Sequence, residues 1–177
     1  MKKNWFWGLS ILAFSFLQLS CNKDNDIAPG YDMLFQRQFD IPAGISPFDV
    51  HHFQLKNIPT NWDDYLAEHN KTSDQISGVI TAEASIGGVY GDADLSAIEK
   101  VSVRVYDETN PSDYLEIAYR DPAPFDSGNI LKLVPSLANS KRFFTGARFS
   151  VDVVIYLRKN TEIINEVRLD LKMRATL

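Results

Sequence analysis

The last third of the chain alternates apolar and polar residues with a period of two. Apolar residues occupy nearly every second position over residues 149–157 and again over 167–173, and most positions between them carry charged or hydroxyl groups. A period of two is typical of β-strands with one buried and one solvated face. We therefore predict a long β-hairpin here, with its turn at residues 159–162.

Similar patterns predict most of the remaining elements. Strands are expected at residues 31–41, 50–58, 75–86, 101–106, 115–120 and 130–134. Turn-forming Gly and Pro residues separate them, including Pro42, Pro59 and Pro135. About eight short strands with little helix predict an all-β domain over residues 31–177, specifically an immunoglobulin-like antiparallel β-sandwich.

Two details of this prediction concern the faces of the strands. Over 75–86 the even-numbered residues, which include Ile76, Ile80 and Ile86, are expected on one face. Over 115–120 the apolar face is expected to include Ile117 and Tyr119.

One short helix is predicted after Pro59, with Thr60 as its N-cap. Trp62, Tyr65, Leu66 and His69 follow at helical spacing and form one apolar face. Such a helix is expected to close one end of the sandwich, and the alternative is an aromatic platform for a ligand. Phe143 and Phe144 are expected to pack into the core beside a loop, as a core plug.

The N-terminal region has a different pattern. Lys2 and Lys3 precede an apolar run over residues 5–17, which is too short for a bilayer span of about 20 residues. A basic start, a short apolar run and a small residue, here Ser20, are typical of a secretory signal. Cys21 follows at once and is the only cysteine of the chain.

These residues resemble a bacterial lipoprotein signal peptide, although Gln18 and Leu19 stand where that family usually has Leu and a small residue. The resemblance implies a signal peptide over 1–20, a diacylglyceryl group with a fatty acyl chain such as palmitate on Cys21, and attachment to a membrane. An uncleaved N-terminal anchor and an unmodified secretory signal remain alternatives. Residues 21–30 are predicted to form a flexible tether. Their Lys and Asp content resembles the export tether of surface-exposed lipoproteins of Bacteroidetes-type bacteria, which implies the outer membrane, facing the cell exterior.

Charge and motifs exclude several function classes. The net charge is −5, and about −7 without Lys2 and Lys3, so no nucleic acid is expected as partner. His51 and His52 would point to opposite faces of a strand, and His69 lies on the predicted helix, so we predict no metal and no cofactor. The chain contains no nucleophile elbow, phosphate loop or zinc-protease motif.

We therefore predict a non-enzymatic binding or accessory module, with a secreted or periplasmic hydrolase of unrecognised type as the alternative. Tyrosines beside charged groups on the solvated face of the sheet are typical of surfaces that bind sugars or proteins. The candidate ligand face consists of Arg104, Tyr106, Tyr114, Arg120, Tyr156 and Arg158. Its expected ligand is a glycan, as in a carbohydrate-binding module, or another protein of the cell envelope.

Overall fold

The computed structural model describes residues 29–177, so the predicted signal peptide, Cys21 and most of the predicted tether lie outside the described residues. In chain order, the strands and helices are β1 Gly30–Ile41, β2 Val50–Pro59, α1 Trp62–Glu68, β3 Gly78–Gly88, β4 Ile98–Asp107, β5 Asn110–Arg120, β6 Ile130–Pro135, α2 Lys141–Phe144, β7 Arg148–Leu157 and β8 Asn165–Thr176. Short 3-10 turns span Ser73–Gln75 and Leu95–Ala97. The first strand thus begins one residue earlier than expected, and α2 was not predicted.

The eight strands form one antiparallel sheet in the order β1-β8-β3-β6-β5-β4-β7-β2. The prediction of an all-β, eight-stranded antiparallel fold is confirmed. The sheet is continuous, however, because β6 pairs with both β3 and β5, although it meets β5 at only two positions. The outer strands β1 and β2 approach each other through Phe39 and Phe53, whose ring centroids lie 5.1 Å apart. The sheet is therefore nearly closed and barrel-like.

The predicted β7–β8 hairpin is wrong. β7 pairs with β2 and β4, whereas β8 pairs with β1 and β3, so the connection at 158–164 crosses from one half of the sheet to the other. The alternation correctly predicted which face each strand buries: Val151, Val153 and Ile155 are fully buried, as are Val167 and Met173. A period of two fixes the buried face of a strand, but it does not identify the neighbouring strand.

Two β-bulges change the buried face partway along a strand. In β3 the bulge lies between Thr81 and Glu83, so Val79 and Thr81 are buried on one side of it and Ala84 and Ile86 on the other. The expectation that the even-numbered residues share one face therefore fails before the bulge. The bulge between strands β4 and β5 has a similar effect, and Tyr119 is exposed rather than on the apolar face.

Because all neighbours are antiparallel, the strands begin and end in two groups of loops. We call the end where β1 begins the proximal end. There α1 buries Trp62, Tyr65 and Leu66 as predicted, and the Tyr65 hydroxyl donates to the carbonyl of Tyr31 over 2.7 Å. The N-cap position is Asn61 instead of Thr60, and Asn61 has a left-handed φ of 50°.

The predicted core plug lies at the same proximal end and is confirmed. Phe144 is fully buried, with its ring centroid 4.6 Å from that of Phe149 and 5.6 Å from that of Phe35. At the opposite end, which we call the distal end, four loops connect the strands: 42–49, 89–97, 121–129 and 158–164. We refer to these four segments as the distal loops.

A candidate ligand groove on the outer face of the sheet

Three of the six predicted ligand-face residues meet on the outer face. Tyr106 of β4 and Tyr114 of β5 are directly paired, and Arg104 lies two positions earlier on β4. They line an open groove of about 240 Å³, which we call the outer groove. The groove is lined by His52, Gln54, Arg104, Tyr106, Pro111, Tyr114 and Asp152.

An imidazole–carboxylate pair forms one wall of the outer groove. His52 Nδ1 lies 2.7 Å from Asp152 Oδ2. The register of β2 and β7 pairs His52 with Val154. Because Val154 and Asp152 are two residues apart on β7, their side chains lie on the same face, and His52 can reach Asp152. The other carboxylate oxygen, Asp152 Oδ1, is buried and has no hydrogen-bond partner. An unpartnered buried acceptor is costly, so a donor supplied by a ligand would be stabilising here.

Tyr106 forms the floor of the groove. It was expected to be an exposed tyrosine, but it is only 5% exposed, and its hydroxyl has no hydrogen-bond partner. Burial raises the pKa of Tyr106, and the nearby carboxylates of Glu108 and Asp152 raise this pKa further. The hydroxyl therefore stays protonated, and no partner among the described residues uses its hydrogen. The neighbouring Ser150 hydroxyl donates to Glu108 instead.

Arg104 and Tyr114 form the opposite wall. The Arg104 guanidinium carbon lies 4.8 Å from the centroid of the Tyr114 ring, which is cation–π distance. Arg104 Nε donates to the Ser102 hydroxyl over 3.1 Å, and Ser102 in turn donates to Glu116. Within residues 29–177 no carboxylate lies within 4 Å of the Arg104 guanidinium, so its terminal nitrogens remain available to a ligand.

The other three predicted residues lie elsewhere. Tyr156 is four positions along β7 from Asp152 and has Lys100 Nζ 5.7 Å from its ring centroid. Arg158 lies in the distal loops, where its guanidinium packs 4.0 Å from the Phe125 ring. Arg120 pairs with the fully buried Val101, and opposed residues of a pair share a face, so Arg120 points towards the interior. Its Nε is buried without a partner.

Sequence reasoning did not assign His52, Gln54 and Pro111 to this face. His52 was considered only as a metal ligand, because the pairing of β2 with β7 is not encoded in local periodicity. Within residues 29–177, no group of three or more His, Cys, Asp or Glu side chains is arranged to hold a metal ion. No helix of the described region has the length and hydropathy needed to cross a membrane.

Known proteins give no further guide to this site. No protein-family model and no curated protein matches the sequence. The chemistry of the outer groove must therefore be read from its side chains. It combines a guanidinium, a carboxylate, an imidazole, an amide and two phenols. None of its seven lining residues has an aliphatic hydroxyl or thiol.

Proposed function

We propose that this protein is a lipid-anchored, non-enzymatic binding module at the outer membrane, facing the cell exterior, and that the outer groove is its ligand site. The convergence of Arg104, Tyr106 and Asp152 with unsatisfied hydrogen-bonding capacity is the observation that carries the proposal. The anchor is supported by the signal-like residues before Cys21. Two or more acyl chains hold a protein stably, since each buried CH₂ contributes about 0.8 kcal/mol.

The groove favours a glycan as the ligand class. A sugar hydroxyl both donates and accepts, so it suits a site that offers Asp152 Oδ1 as acceptor and Tyr106 and Arg104 as donors. The Tyr114 ring, about half exposed, adds an apolar surface beside these polar groups. At about 240 Å³ the groove is smaller than typical sites for drug-sized ligands, and we infer that it holds one unit of a longer chain.

Glycan-array binding with the full chain tests this ligand class. We expect Tyr106→Phe, which removes only the unpartnered hydroxyl, and Arg104→Met each to weaken binding about tenfold, equivalent to about 1.4 kcal/mol. Tyr156→Ala is the matched control, because Tyr156 lies on the same outer face but does not line the groove. Equal loss in all three variants would contradict the groove as the site. If no glycan binds and an envelope protein co-purifies in a groove-dependent manner, the ligand is that protein.

The anchor is tested separately by replacing Cys21 with Ala. We expect the native chain to partition into detergent and to carry the mass of the added lipid. The Cys21→Ala variant should lose both properties. Detergent partitioning with an unmodified mass in both forms would contradict lipidation, whatever the groove binds.

A further inference from the structure

Five of the large apolar side chains that are exposed in the described region lie in the distal loops. Phe48 is 95% exposed, Phe125 is 82% exposed and Tyr90 is 73% exposed. Ile163 and Ile164 of the fourth distal loop are also exposed. Each of the four loops at this end thus contributes at least one large apolar group. Single exposed apolar residues are ordinary, but an end of a domain at which every loop exposes one favours an interaction surface.

The distal loops are tied to one another by hydrogen bonds. The Gly44 amide donates to the Thr161 carbonyl over 2.8 Å, which joins the first loop to the fourth. The Leu95 amide donates to the Gly128 carbonyl over 2.9 Å, which joins the second loop to the third. Arg158 Nη2 donates to the Ala123 carbonyl, which joins the fourth to the third.

These cross-links mean that the apolar side chains are presented on a pre-organised surface. Little ordering entropy then remains to be lost when a partner binds.

The charge of the same loops is strongly negative. They contain six carboxylates and two cations, a net charge of −4. The Asp94 and Asp121 carboxylates form ion pairs with Lys159 and Lys100, but within the described residues Asp92 and Asp126 form none. This charge disfavours an anionic bilayer and nucleic acid, and it also disfavours a second copy of the same acidic end. It favours a partner whose apolar contact area is surrounded by Lys and Arg.

The point where the chain enters the domain also bears on which partner the distal loops can reach. Residues 1–29 join the domain at Gly30, which lies at the proximal end. If Cys21 carries the lipid, the eight residues 22–29 reach at most roughly 30 Å. The shortest connection therefore turns the proximal end towards the bilayer and the distal loops away from it. Only this orientation of the domain depends on the proposed lipid anchor.

From these observations we infer that the distal loops form a docking surface for a partner protein with an apolar centre and a basic rim. Phe48 and Phe125 are the apolar anchors, and Asp92 and Asp126 pair with the basic rim. This surface is distinct from the outer groove, none of whose lining residues belongs to the distal loops.

Site-specific photo-crosslinking of the full chain in its native cells tests the inference. A photoreactive phenylalanine derivative replaces Phe48 or Phe125 and, as a matched control, Leu137, which is 79% exposed but lies in a proximal loop. We expect a defined protein adduct from positions 48 and 125 and none from position 137. Peptide mapping should place the adduct beside Lys or Arg residues of the partner.

A charge-reversal variant makes the test specific. In Asp92→Lys combined with Asp126→Lys, the adduct should fall at least about tenfold while the melting temperature stays unchanged, because both side chains are exposed. An adduct that persists in this variant, one that also forms at position 137, or an adduct only with a second copy of the chain would overturn the inference. Binding of the Cys21→Ala protein to vesicles of phosphatidylcholine and phosphatidylglycerol, lost on Phe125→Asp, would instead assign the loops to a membrane. Detergent partitioning of the native chain and of the Cys21→Ala variant tests the lipid anchor independently of these outcomes.

Discussion

At the scale of single residues, the most consequential polar contact outside the groove joins β1 to β8. Arg174 donates two hydrogen bonds to Asp32, over 2.6 and 2.9 Å, and the Arg174 side chain is 14% exposed and that of Asp32 29% exposed. The hydrogen bond from Arg174 holds the pKa of Asp32 below its ordinary value of 3.8. Lys172 adds to this effect from the same strand.

The pH dependence of this contact follows from the direction in which the pKa of Asp32 is shifted. Because the pKa of Asp32 is lower in the folded state, its contribution to stability is present above the unfolded-state value of about 3.9 and is lost as the pH falls through the folded-state value. We expect Asp32→Asn to reduce the free energy of unfolding by about 1–3 kcal/mol near pH 7. The difference from the native protein should shrink below about pH 4, as measured by denaturant titration.

A matched control is available in the exposed pair formed by Asp113 and Arg142. Asp113→Asn removes a carboxylate of similar geometry, with Arg142 nitrogens at 2.5 Å, but this pair is more exposed to water. Solvent screens such pairs, so the loss should be clearly smaller than for Asp32→Asn. An equal loss of unfolding free energy in both variants would mean that shielding the β1–β8 contact from water adds nothing to stability.

At the scale of elements, the bulge in β3 reconciles two apolar patterns that are out of phase. Thr81 pairs with Met173 and Glu83 with Lys172, so Ala82 is the extra residue. Removing Ala82 would make these two pairs consecutive and would leave the buried face unchanged. Removing Ser85 would instead turn Ile86, which is fully buried, towards solvent.

Deletion of these two residues gives opposite expectations. Loss of Ser85 should destabilise the protein by about 1.5–3 kcal/mol through Ile86 alone, whereas loss of Ala82 should cost less. Denaturant unfolding of both deletion variants measures the difference. If the Ala82 deletion is the more destabilising, the curvature that the bulge imposes on the sheet contributes more to stability than the choice of which residues β3 buries.

The same bulges explain which elements the sequence predicted and which it did not. Strands such as β7 and β8 have an unbroken alternation, and their buried faces were predicted correctly. In β3 and β5 the extra residue is visible only from the partner strand, so the faces of Ile80 and Tyr119 were misassigned. Strand neighbours depend on contacts distant in sequence, and for this reason the false hairpin was predicted and His52 was not placed opposite Asp152.

At the scale of the whole molecule, the sheet is held together unevenly. β8 pairs with β1 at twelve positions and with β3 at ten, and β7 pairs with β2 and with β4 at eight positions each. By contrast, β5 and β6 share only the pairs Ala118–Pro135 and Tyr119–Val134. The two halves of the sheet are therefore joined on this side by a short seam. The proline in the first of these pairs has no amide hydrogen to donate.

This unevenness predicts where the molecule opens first. Local opening needs the least free energy where few backbone hydrogen bonds and few buried contacts must break. We expect amides of β6 to exchange hydrogen at least about tenfold faster than those of β7 and β8, as measured by mass spectrometry on the full chain under native conditions. Edge strand β2 is the informative comparison, because it is unpaired on one side but follows β7 for most of its length. If β6 is protected as strongly as β7, the two halves open as a single cooperative unit and the seam is not a point of weakness.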